Sequence, residues 1–75
     1  MNRYNDWQTL LKFANEDLEK FGYSLMITEP EQGNFDCEVW KDGNLLETYA
    51  GGYYEDELSG LVTDAMHYVL TEYVK

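Results

Sequence analysis

Asp42-Gly43 constrains this chain more than any other pair of residues. A two-residue hairpin turn needs positive φ at both positions, which Asp and Gly tolerate, and it joins antiparallel strands in a set register. Phe35, Cys37 and Val39 alternate with Asp36, Glu38 and Trp40 before the turn. Leu46, Thr48 and Ala50 alternate with Leu45, Glu47 and Tyr49 after it. Counting outward from the turn predicts Trp40 opposite Leu45, Val39 opposite Leu46, Glu38 opposite Glu47 and Cys37 opposite Thr48. Glu38 and Glu47 would then face each other on the side away from Val39 and Leu46. Like charges so placed weaken strand pairing by roughly 0.2–1 kcal/mol. Carboxylates kept there either guard the sheet against pairing with other chains or serve a partner.

A third run precedes the hairpin, with Tyr23, Leu25 and Ile27 alternating with Ser24, Met26 and Thr28. Pro30 to Asn34 reads as the turn between the first two strands, and Gly51-Gly52 as the end of the third. Helical patterns flank this meander. Trp7, Leu10, Leu11, Ala14, Leu18 and Phe21 fall on one stripe at 3.6-residue spacing, with Gln8, Lys12, Asn15, Glu16 and Glu19 on the other side. Asn5 or Asp6 can cap this helix, Gln8 completing a capping box with Asn5, and Gly22 can stop it. Tyr54, Leu58, Leu61, Val62, Ala65, Val69 and Tyr73 form a second stripe, with Glu55, Asp56 and Glu57 in its first turn, where carboxylates complement the helix dipole. Gly60 interrupts it and is expected to allow close packing on the first helix. The predicted fold class is α+β: a two-layer α-β-β-β-α domain over residues 1–75, with both helices on one face of a three-stranded antiparallel meander. Its expected core is Leu10, Leu11, Ala14, Leu18, Leu25, Ile27, Val39, Leu58, Leu61, Val62 and Ala65.

Composition narrows the function. The chain has 75 residues, so one domain is expected. High net charge alone would suggest disorder, but 44% hydrophobic and 16% aromatic residues argue for a packed core. Without disulfides or metal, dimerisation is a plausible further source of stability. No apolar run is long enough to span a membrane, and Met1 to Asp6 has no basic segment leading into an apolar one, so neither a span nor a secretory leader is expected. With a single Cys, these features give a cytoplasmic expectation.

Fifteen acids oppose five bases, a net charge of −10. From Glu29 to Asp64 there are ten acids and one base, Lys41, or net −9. Ordinary small domains carry a charge of about 2 to 8 in magnitude, so half of this chain exceeds that range. Such a surface repels nucleic acid and anionic lipid, and it attracts basic protein surfaces.

Enzymatic chemistry has few carriers. His67, the only His, falls off the apolar stripe beside Asp64 and Thr71 and reads as a surface residue. Cys37 falls on an inward strand position, where a thiol behaves as a small hydrophobe. Glu55-Asp56-Glu57 lacks the spaced ligands and turn glycine of a calcium loop and reads as a helix start. No phosphate-binding glycine motif or zinc-binding helix motif is present. No enzyme activity, metal or cofactor is expected. Met26, Trp40, Leu45 and Tyr49 are expected outward among the acids, and aromatics within a charged rim are how many interfaces are built.

The element order over nearly the whole chain resembles the double-stranded-RNA-binding-domain topology. The basic cluster that family carries at its second helix is replaced here by Glu55-Asp56-Glu57, so RNA binding does not carry over. Small size, a net charge of −10 and the compact plan are similar to phage-type DNA-mimic inhibitors, such as anti-CRISPR and anti-restriction proteins. Those display carboxylates where a nucleic acid displays phosphates. Val39 to Leu70 also resembles the HicB antitoxin pattern of a strand hairpin followed by a helix, without that family's Pro-Asp-Leu-Pro-Gly element.

The DNA-mimic resemblance implies a non-enzymatic inhibitor that fills the basic groove of a nucleic-acid-handling protein. The expected contact residues are Asp36, Glu38, Trp40, Asp42, Glu47, Tyr49, Glu55, Asp56 and Glu57. The alternative is a dimeric adaptor or antitoxin-like module using the Trp40, Leu45 and Tyr49 patch.

Overall fold

A computed structural model describes residues 6–74. It comprises α1 (Trp7–Leu18), β1 (Tyr23–Glu31), β2 (Asn34–Lys41), β3 (Asn44–Tyr53) and α2 (Leu58–Val69). Asp6 starts α1. Its carboxylate accepts from the Gln8 amide at 3.0 Å and from the Thr9 hydroxyl at 2.9 Å, satisfying donors that a helix start leaves open. The alternative cap, Asn5, lies outside the described residues. The helix tightens into a 3₁₀ turn, Glu19–Phe21, and stops at Gly22 with φ +87°. That turn corrects the expected stripe. Three residues per turn instead of 3.6 rotates Phe21 away from the core, and it is 48% exposed.

The strands form one antiparallel sheet in the order β1-β2-β3. Both helices pack on the face presented by Tyr23, Leu25, Cys37 and Val39. The buried core joins these four to Ala14 and Leu18 of α1 and to Leu58, Leu61, Val62, Ala65 and Val69 of α2. Leu10, Leu11 and Ile27, expected fully inside, are half-buried against its margin. Pro30 and Glu31 belong to β1 rather than to a turn. As an edge strand, β1 tolerates a proline, and the register shifts between Thr28 and Glu31 to accommodate it. Asn34 likewise begins β2, so the turn itself is only Gln32-Gly33, and the Glu29 carboxylate accepts from the Gly33 amide at 2.8 Å.

The Asp42-Gly43 turn has positive φ at both positions, +52° and +84°, and it pairs Lys41 with Asn44 and Trp40 with Leu45 as expected. Beyond Leu45 the expected register fails. Val39 stands opposite Glu47, Glu38 opposite Thr48, Cys37 opposite Ala50 and Phe35 opposite Tyr53. Each of three register shifts leaves an extra residue or step on β3, which uses ten residues to span Phe35 to Lys41. A bulge changes which face the following side chains take. Gly51-Gly52 therefore does not end the strand. It is the last bulge, with Gly52 at φ +78° and its amide held by the Asp36 carboxylate at 3.1 Å.

Both sheet edges are guarded. The bulges blunt β3. On β1, Asn15 of α1 donates to the Leu25 carbonyl at 3.1 Å and accepts from the Leu25 amide at 2.7 Å. Asn15 was expected on the solvent side of its helix; instead its amide acts as a one-residue substitute strand. Gly60 also departs from expectation. A Cβ there would meet nothing within 4 Å, so no close helix approach requires the glycine.

Candidate interaction surface

Neither helix covers the outer face of the sheet. Ser24, Met26 and Thr28 of β1, Asp36, Glu38 and Trp40 of β2, and Leu45 and Thr48 of β3 share it through the paired register. Met26 is 48% exposed and Leu45 is 49% exposed, and Trp40 lies half-buried beside Leu45. The Trp40 indole N–H donates to the Glu38 carboxylate at 3.0 Å, which fixes the ring on this face. The expected apolar patch thus exists, but without Tyr49.

Tyr49 is the extra residue between Thr48 and Ala50, and the bulge turns its ring onto α2. Its centroid lies 4.8 Å from that of Tyr68, with 44° between the planes. Glu47 makes the same crossing. It sits opposite Val39 on the helix side, where it accepts hydrogen bonds from the Tyr68 hydroxyl at 2.8 Å and from the Tyr73 hydroxyl. The expected Glu38–Glu47 repulsion is therefore absent. A single π-type turn, Leu70–Val74, carries Tyr73 beyond the end of α2. Its hydrogen bond to Glu47, then burial and the Glu47 charge, push the Tyr73 hydroxyl up from 10.0 to about 12. The Tyr68 hydroxyl is raised for the same leading reason.

The remaining acids take three positions. Asp36 is half-buried and braces Gly52. Asp42 stands exposed at the hairpin tip, its carboxylate 3.8 Å from the Lys41 ammonium. Glu55, Asp56 and Glu57 form one exposed 3₁₀ turn just after Tyr53, with Glu57 accepting from the Tyr54 amide at 2.8 Å. The candidate residues therefore do not form a single face. Glu38 and Trp40 share the open face with Asp36 at one end, while Glu47 and Tyr49 belong to the opposite side.

That opposite side holds a solvent-open hollow of about 330 Å³, lined by Tyr49, Asp64, His67, Tyr68, Thr71 and Glu72. Asp64 and His67 come from α2 and Thr71 from the turn beyond it, and the neighbourhood of the three is the one their helical spacing predicts. The part played by Tyr49 could not be read without the bulge. Cys37 is fully buried, and burial followed by the Glu38 charge pushes its thiol up from 9.0 to about 12. It stays protonated at neutral pH, which disarms it as a nucleophile. Among the described residues, no helix is long and apolar enough to cross a membrane.

No protein-family model matches the chain, and neither a curated protein nor a solved structure matches it.

Proposed function

We propose that this chain is a non-enzymatic acidic binding protein that occupies the basic groove of a nucleic-acid-handling protein, its carboxylates standing where phosphates would. One observation carries the reading. All fifteen acids lie among the described residues, no charged side chain is buried, and only two ion pairs occur there, Lys20–Asp17 at 3.9 Å and Lys41–Asp42 at 3.8 Å. The hydrogen bonds to Asp6, Glu29, Asp36, Glu38, Glu47 and Glu57 orient those carboxylates without neutralising them. A field of this sign speeds encounter with a basic surface and disfavours acidic ones.

The open sheet face supplies the contact. Met26, Trp40 and Leu45 offer area that can be desolvated, and Glu38 and Asp36 flank them with charge. Guarded edges favour docking by this face over addition of a strand. Pairing of two copies through the same face is the competing reading, favoured by the exposure of Met26 and Leu45. It would bring like charges together, so salt would strengthen a dimer and weaken a complex with a basic partner.

The test is capture of nucleic-acid-binding proteins on the immobilised chain at low salt, followed by elution with duplex DNA or with RNA. Release by nucleic acid, and loss of capture in the variant Glu38→Lys with Asp56→Lys, are the expected results. Retention that ignores both would overturn the proposal.

A further inference from the structure

The hollow between β3 and α2 has a wall that charge alone does not explain. Tyr49 and Tyr68 pack against each other with their planes tilted by 44°, and both rings line the hollow. Their ring faces are the negative regions of the aromatic quadrupole. Tyr68 is held in place because its hydroxyl is bonded to Glu47, which also takes the Tyr73 hydroxyl. Asp64 and Glu72 line the same hollow. Asp64 belongs to α2 and Glu72 to the turn beyond it, eight residues later. None of the described lysines lines it. One of them, Lys41, sits 4.4 Å over the Tyr23 ring, so this chain already pairs a cation with a tyrosine face elsewhere.

We infer that the hollow receives a guanidinium group, the tip of an arginine side chain on a segment of the basic partner that reaches round the β3 edge from the open sheet face; the inference rests on the function proposed above and adds a second contact on the helix side. A guanidinium is planar and weakly hydrated, so it stacks on a ring while its edges donate to carboxylates. A lysine ammonium is more strongly hydrated and lacks the flat face. A metal ion fits poorly, because no group of three potential ligands comes together among the described residues.

N-acetylargininamide is titrated into the isotope-labelled chain and followed by NMR, with N-acetyllysinamide and magnesium chloride titrated separately at matched ionic strength. Shifts should concentrate at Tyr49, His67, Tyr68 and Thr71, and the arginine compound should bind more tightly than either alternative. Tyr49→Leu and Asp64→Asn should each weaken it by about fivefold, the scale of one cation–π or exposed charge contact. Glu16→Gln, on the exposed side of α1, should leave it unchanged. Asp64 is exposed, so its variant tests the site even if the tyrosine variant fails to fold. Shifts spread over the whole acidic surface, an equal response to the lysine compound or to magnesium, or an equal loss in Glu16→Gln would overturn the inference. Failure here leaves competition between the partner and nucleic acid intact; loss of that competition, with arginine still bound, would instead count against the proposed function.

Discussion

Glu47 stands opposite Val39 across the β2–β3 pair, on the helix side of the sheet, where the hydroxyls of Tyr68 and Tyr73 meet its carboxylate. The carboxylate ties β3 to α2 and to the turn beyond it. Glu47→Lys is therefore expected to lower the melting temperature, because two hydroxyl donors lose their acceptor and face an ammonium that can only donate. Had Glu47 faced Glu38, the same change would have raised it by relieving repulsion. Thermal melts of Glu47→Lys beside Glu38→Lys separate the two arrangements, and a stabilised Glu47→Lys would contradict this one.

Alkaline pH should release the same contact. Tyr73 keeps its proton to about 12 when folded, against 10.0 for an ordinary tyrosine. Across that interval the unfolded chain holds fewer protons than the folded one, so stability falls as pH rises through it. Below about pH 10 the contribution is fully present. Phenolate absorbance should show a late-titrating fraction that shrinks in Glu47→Gln, because the Tyr68 and Tyr73 hydroxyls lose the carboxylate that raises them. A single transition shared by all seven tyrosines would count against the contact.

Asn15→Ala should destabilise the domain by about 1–2 kcal/mol, since it removes the partner of both backbone groups of Leu25. It also uncovers the β1 edge. Denaturant melts should show the loss, and light scattering should show more self-association than wild type. A variant as stable and as monodisperse as wild type would mean that the amide contributes nothing at the edge.

Gly60→Ala should stabilise by about 0.5–1 kcal/mol, because the glycine is helical, exposed and free of neighbours that a methyl group would strike. The measurement is the urea midpoint at unchanged slope. A loss of stability would mean that the glycine has a packing role.

Much of this fold was legible because its signals are local. The Asp42-Gly43 turn and the Gly22 stop act within a few residues and hold, and the apolar stripes hold in the body of each helix, failing only at Phe21 and Tyr54 beyond the helix ends. The bulges on β3 were not legible. From Leu45 to Gly52, apolar or small residues occur at both parities, so alternation cannot show where one extra residue enters. The adjacent pairs Leu45-Leu46 and Gly51-Gly52 were the available hints. Glu47 and Tyr49, two of the expected contact residues, were misplaced for that reason. Asn15 hid in a polar helix face. Its modest helix propensity was the only mark that it had another task.

In the function proposed above, carboxylates at the surface of this chain bind a basic, nucleic-acid-handling partner by charge. Calorimetric affinity for that partner, measured at rising salt with and without competing nucleic acid, tests it most directly. Affinity should fall by about tenfold or more as salt rises to 0.15 M, where the screening length is about 8 Å, and nucleic acid should compete. An affinity that ignores salt and coexists with bound nucleic acid would overturn the proposed function.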